Sequence, residues 1–339
     1  MKQTKRIPYI DVCKGVLILL VVFEHLPQVA ISLLNIKSEY LNIMDKHNVY
    51  FTCFFMPAFF YLTGYCSSFN DYFRLFFVKN FKALILPAIT LGLIIRIFEQ
   101  ILQVNNVIAH YSFIDYIFYI LNCSPFWFLK ALFISKLIMW CTMKIKIKTN
   151  VLLLLSFIAC FLAVLCHEYI PFNDRYCILH SVILMPAISM GQYVKCNNII
   201  IHGRLFFWST LAFLFVIFMY SYLDFTIPYV TQSLYISKFS FLSYILLSFL
   251  GTVFILNIAV RLENVTILQY IGKASIVIYL FSNLFMYIAE KLILHILSLK
   301  TIPLVFLFYL ITFLFAVMCC LFVYYLLIST KLRCLLGKS

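Results

Sequence analysis

The chain has 339 residues, 65% of them hydrophobic and only 11% charged, whereas a soluble domain carries about a quarter charged residues and about half apolar ones. That excludes a water-soluble globular enzyme, a disordered regulator and a nucleic-acid-binding protein. The net charge of +14 sits mostly in short clusters between long apolar runs, which is how membrane proteins mark orientation or meet anionic headgroups.

A helix needs about 20 mostly apolar residues to cross the hydrocarbon core. The candidate spans are residues 12–33, 50–70, 83–103, 125–143, 150–167, 176–195, 204–223, 239–259, 274–297 and 302–329. The basic start from Met1 to Arg6 superficially resembles a signal peptide. However, Asp11 and Lys14 interrupt the first part of the adjoining apolar stretch and no small-x-small cleavage site ends it, so it is read as an uncleaved first span. The stretch from Tyr111 to Leu121 is too short to cross and reads as an interfacial or re-entrant segment. With an even span count both termini share one side. Lys79, Lys82, Lys144, Lys195, Arg261 and Lys331 fall there, and the Lys/Arg excess over the other side is about three to one. The expected fold is an all-α integral membrane bundle of about ten helices, a single domain over 1–339 with both termini cytoplasmic. The 12 cysteines include no Cys-x-x-Cys pair and mostly lie in apolar runs, where cysteine packs as a small hydrophobe. No metal site is expected.

A titratable group at membrane depth costs at least about 2.5 kcal/mol to insert, so each needs a reason. The first span holds Lys14, Glu24 and His25. Lys14 and His25 lie eleven positions apart, about three full turns and about 16 Å along the axis, so they share one face. Taken singly, Lys14 can snorkel and His25 can bond a neighbouring helix. Together, a cation at the cytoplasmic end suits an anionic ligand, and a deeper imidazole suits proton transfer at a hydroxyl. Glu24 points about 100° from His25 and is expected to meet a neighbouring helix rather than orient the histidine. In the third span Arg96 and Glu99 are three apart and can pair or face substrate. Glu290 and Lys291 are expected to snorkel, and His167 and His180 to sit at interfaces. No phosphate loop, zinc-protease pair or hydrolase elbow occurs.

Five stretches, in order, carry a resemblance. Arg6 through Lys14-Gly15 to His25 has a basic residue, a ten-residue gap and a His. Met56-Pro57 through Gly64-Tyr65 is a Phe-rich turn, and Lys79 and Lys82 lead to Pro87 in a basic loop. Pro125 through Trp127-Phe128-Leu129 is a Trp-Phe-Leu element, and Ile271-Gly272-Lys273 with Ser275 and Tyr279 closes the set. This order resembles the acyltransferase-3 family of membrane acyltransferases, particularly its fucose-acetylase-like sugar O-acetyltransferases.

The resemblance implies transfer of an acetyl or similar group from cytoplasmic acetyl-CoA to a hydroxyl of a cell-surface saccharide or its lipid-linked precursor, in the inner membrane of a bacterium. It implies catalysis by His25 with Glu24 beside it, and CoA binding by Lys14, Lys79 and Lys82. The saccharide would meet Arg96, Glu99, Trp127, Ser282 and Asn283. Ser282 stands where many relatives have His three residues beyond the Tyr, which implies a different acceptor or a hydrogen-bonding substitute. The competing reading is a transporter or flippase with Lys14, His25, Arg96 and Glu99 along its path. Only 8 glycines speak against the Gly-broken paired helices such folds use.

Overall fold

In the computed structural model residues 7–29, 39–102, 126–169, 177–199, 204–223, 226–231, 234–294 and 302–336 are described. The expected segment at Tyr111 to Leu121 lies outside them. The helices are α1 (Pro8–Gln28), α2 (Glu39–Cys66), α3 (Phe73–Asn80), a π-helical turn (Phe81–Ile85), α4 (Leu86–Ile101), α5 (Trp127–Lys144) and α6 (Thr149–Tyr169). Then come α7 (Ile178–Ile183), α8 (Met185–Cys196), α9 (Arg204–Tyr222), α10 (Phe241–Arg261), α11 (Thr266–Lys273), α12 (Ser275–Leu294), α13 (Ile302–Ser329) and a short 3-10 turn (Lys331–Leu336). Among the described residues the sheet is one antiparallel hairpin, β1 (Tyr229–Val230) with β2 (Leu234–Tyr235).

Helix lies within each of the ten expected stretches. Among the described residues five helices are long and apolar enough to cross a membrane by themselves: Phe73–Ile101, Thr149–His167, Phe241–Arg261, Ser275–Leu294 and Pro303–Ser329. The first of these runs α3, the π turn and α4 together as one 29-residue rod. Three of the other stretches differ for readable reasons. Helix α1 carries Asp11, Lys14 and Glu24, and α5 carries Lys130, Lys136 and Lys144. A break at Leu184, with Pro186 just after it, divides α7 from α8. On α6 and α13, Leu154, Leu162, Phe306 and Met318 point outward, apolar surface that suits lipid and not water.

The chain forms two compact units. The first comprises Met1–Phe59, Ile201–Thr226 and Leu247–Tyr324. In it α1 crosses α11 through two glycines. A Cβ on Gly15 would collide with the Leu268 carbonyl, and one on Gly272 with the Asp11 carbonyl, so this close approach tolerates no side chain. Two of the family-like stretches thereby meet backbone to backbone. Phe23 packs edge-on against Phe51 and Phe313. The Ser248 hydroxyl donates to the Cys53 carbonyl at 3.1 Å, and Asn257 Nδ2 donates to Thr210 Oγ1 at 2.9 Å.

The second unit comprises Phe60–Ile200, Ile227–Leu246 and Tyr325–Ser339. Here Gly64 lies against the Ile188 backbone and Gly191 against Tyr61, which brings the end of α2 close onto α8. Ser181 Oγ donates to the Ala131 carbonyl at 3.1 Å and Ser135 Oγ to the Ser181 carbonyl at 3.0 Å, stitching α5 to α7. The connection from α2 to α3 is held by backbone acceptors. Lys195 reaches the Ser67 carbonyl, Lys144 Nζ the Asn70 carbonyl at 3.1 Å, and Trp140 Nε1 the Asp71 carbonyl at 2.9 Å.

Candidate active site

The first unit holds one cluster on the last turn of α1. Pro27 lies inside this helix and has no N–H, so the Phe23 carbonyl loses its amide partner four residues on. Side chains tie this turn together instead. His25 Nδ1 lies 3.0 Å from Gln28 Oε1, Gln28 Nε2 donates to Glu24 Oε1 at 3.4 Å, and Thr52 Oγ1 of α2 donates to the same oxygen at 3.4 Å. The other carboxylate oxygen, Glu24 Oε2, stands 3.7 Å from His25 Nε2. The Glu24 side chain is 5% exposed and that of His25 29%, while Gln28 is exposed. An accessible imidazole backed by a buried carboxylate can take a proton and hold the charge it acquires.

Glu24 meets a neighbouring helix as the helical geometry predicts, through Thr52. It also reaches back to His25, which the 100° offset alone did not suggest. Gln28 and Thr52 were missed in the sequence. The signal for Gln28 was present: positions 24, 25 and 28 have the three- and four-residue spacings that put side chains in reach on a helix. Thr52, on another helix, left no such mark.

Lys14 is half-buried, beside the Gly15 crossing, and Asp11 is buried. On α12 the neighbours Ser282 and Asn283 part company: Ser282 is buried and Asn283 exposed. Further along, Glu290 departs from the expected snorkelling residue. It is wholly buried, and neither carboxylate oxygen has a hydrogen-bond partner among the described residues. Lys291 beside it is exposed.

In the second unit, Lys79 Nζ lies 3.9 Å from Asp71 Oδ2, with the lysine side chain 69% exposed. Lys82 is exposed on the π turn, a helix defect frequent at functional sites. Arg96 is buried and Glu99 half-buried, three residues apart on one helix and so within reach of each other. Trp127 and His180 pack ring to ring, 5.2 Å between centroids. His180 is buried within the protein, with Nε2 3.0 Å from the Thr231 carbonyl by the β hairpin. Within the second unit the candidates fall as Arg96 with Glu99, Lys79 with Lys82, and Trp127 with a histidine not chosen from the sequence; within the first, Glu24 lies with His25. Among the described residues no three of His, Cys, Asp and Glu come together as a metal cage.

The profile of a family described as an acyltransferase domain matches residues 7–325, nearly the whole chain. No curated protein and no solved structure matches.

Proposed function

The chain belongs to the acyltransferase-3 family and is a membrane acyltransferase, and we propose that it moves an acetyl or similar acyl group from cytoplasmic acyl-CoA to a saccharide hydroxyl. The acceptor is a cell-surface glycan or its lipid-linked precursor, and the membrane is the inner one of a bacterium. The observation that carries this reading is the cluster on α1: a reachable imidazole with a buried carboxylate 3.7 Å from its Nε2.

In the proposed reaction the acceptor oxygen attacks the thioester carbonyl, its C–O bond forming as the C–S bond breaks. The hydroxyl proton passes to His25 and then to the departing CoA thiolate. Glu24 stabilises the imidazolium between those events. Lys14, Lys79 and Lys82 hold the anionic donor, a task lysine performs as a point charge. Arg96, Glu99, Trp127, Ser282 and Asn283 contact the saccharide. In this reading about ten helices cross the membrane, both termini are cytoplasmic, and the basic residues face the side from which CoA arrives.

The test is label transfer from radiolabelled acetyl-CoA in membranes carrying the chain or its His25→Ala variant, at equal expression, with host glycans as acceptors. Label in glycan with the first and background with the second supports the reading. Equal label in both removes His25 from the chemistry. Label in neither overturns acetyl-CoA as donor to these acceptors.

A further inference from the structure

Resting on that acyl-transfer reading, we propose that Gln28 is a positioning residue that sets the tautomer of His25, so that Nε2 is the nitrogen that takes the acceptor's proton. An amide side chain has an accepting end and a donating end, and the surroundings of Gln28 dictate which end goes where. Glu24 Oε1 already accepts the Thr52 hydroxyl at 3.4 Å. Only the NH2 end of Gln28 can face that oxygen, at 3.4 Å. The reverse orientation would set two acceptors against each other. Gln28 Oε1 is thereby turned to His25 Nδ1 at 3.0 Å. An amide oxygen carries no proton, so Nδ1 must donate, and in a neutral imidazole the lone pair then sits on Nε2.

The position of Glu24 makes this control necessary. Its Oε2 lies 3.7 Å from Nε2, too far for a good hydrogen bond yet close enough to attract a proton there. Without Gln28, the tautomer with Nε2–H directed at Glu24 becomes the favoured one, and the nitrogen needed as base is already occupied. With Gln28 in place, Nε2 stays open to a hydroxyl, and the carboxylate interacts strongly only after the proton has arrived. The order of events is set by one amide on an exposed position of the same helical turn.

The test uses the full chain in membranes, with Gln28→Met, Gln28→Glu and His25→Ala. Methionine keeps the size of glutamine and loses both hydrogen bonds, whereas glutamate keeps an acceptor for Nδ1–H. Gln28→Met is expected to lower kcat by about 10²-fold, the low end of what a positioned base contributes, with KM for acetyl-CoA unchanged. Gln28→Glu should recover most of that loss. A second readout is independent of activity: NMR of ring-nitrogen-labelled histidine, with the His25 signal identified by its loss in His25→Ala. It should place the proton on Nδ1 in the parent protein and on Nε2 in Gln28→Met. A proton on Nε2 in the parent, or methionine and glutamate variants equally impaired with one unchanged tautomer, overturns the proposal. Full activity in His25→Ala instead sinks the acyl-transfer reading, and the NMR result still decides the tautomer.

Discussion

Replacing Glu24 by Gln removes one charge and almost no volume, so it isolates what the carboxylate does for His25. Opposite unit charges 3.7 Å apart attract by about 1 kcal/mol in water and by about 4.5 kcal/mol at an effective dielectric near 20. The His25 side chain is 29% exposed and its partner 5%, which places the pair between those limits, at about 2–3 kcal/mol. This attraction exists only while His25 carries the proton, so its loss raises the barrier rather than weakening binding. Glu24→Gln should therefore lower kcat by about 30- to 150-fold and leave KM for acetyl-CoA alone. The amide also turns a donor toward Nε2 and competes for its lone pair, which works in the same direction. The assay is the initial rate of label transfer at saturating acetyl-CoA, with His25→Ala as the floor and detergent melting as the check on folding. A kcat within about threefold of the parent, or a loss confined to KM, would refute the reasoning.

Other consequences are equally open to measurement. Gly272→Ala pushes a methyl into the Asp11 carbonyl and should destabilise the chain by about 1–3 kcal/mol, seen as a lower melting midpoint in detergent; an unchanged midpoint would contradict the packing described. Lys82→Gln should raise KM for acetyl-CoA about fivefold at low salt, the worth of about 1 kcal/mol for an exposed charge, and the effect should fade at high salt. A salt-independent change would remove Lys82 from CoA binding. Glu290→Met replaces a wholly buried carboxyl that has no hydrogen-bond partner among the described residues by an apolar chain of similar length, and should leave the melting midpoint equal or higher. A lower midpoint would mean that the carboxyl stabilises the fold.

The helical architecture and the concentration of ionisable residues on α1 were legible because both rest on patterns local to the chain. Long apolar runs demand helices in lipid, and ions inside such a run demand a use. The limits came from contacts between segments distant in sequence. Glu290 and Lys291 looked like one snorkelling pair, but neighbours on a helix point about 100° apart, and only the lysine reaches the exterior. His180 was read only from its place at the edge of an apolar run. The break at Leu184 and the hairpin carrying Thr231, formed by strands of two residues each, leave almost no pattern to read, yet the ring is buried beside that carbonyl. Ser282 and Asn283 were chosen as a unit, and the helix separates them into one buried and one exposed residue.

The glycine crossing has a consequence for the way the protein is made. Helix α1 leaves the ribosome before the other described helices, carrying Asp11, Lys14 and Glu24. Thr52 emerges within a few dozen residues, but Gly272, whose backbone the Asp11 carbonyl abuts, is 257 positions beyond Gly15. At about 5–20 residues per second that separation amounts to roughly 13–50 s of synthesis. Throughout that interval a helix bearing two acids and a lysine must be sheltered, by the insertion machinery or by provisional neighbours, before its permanent partner exists.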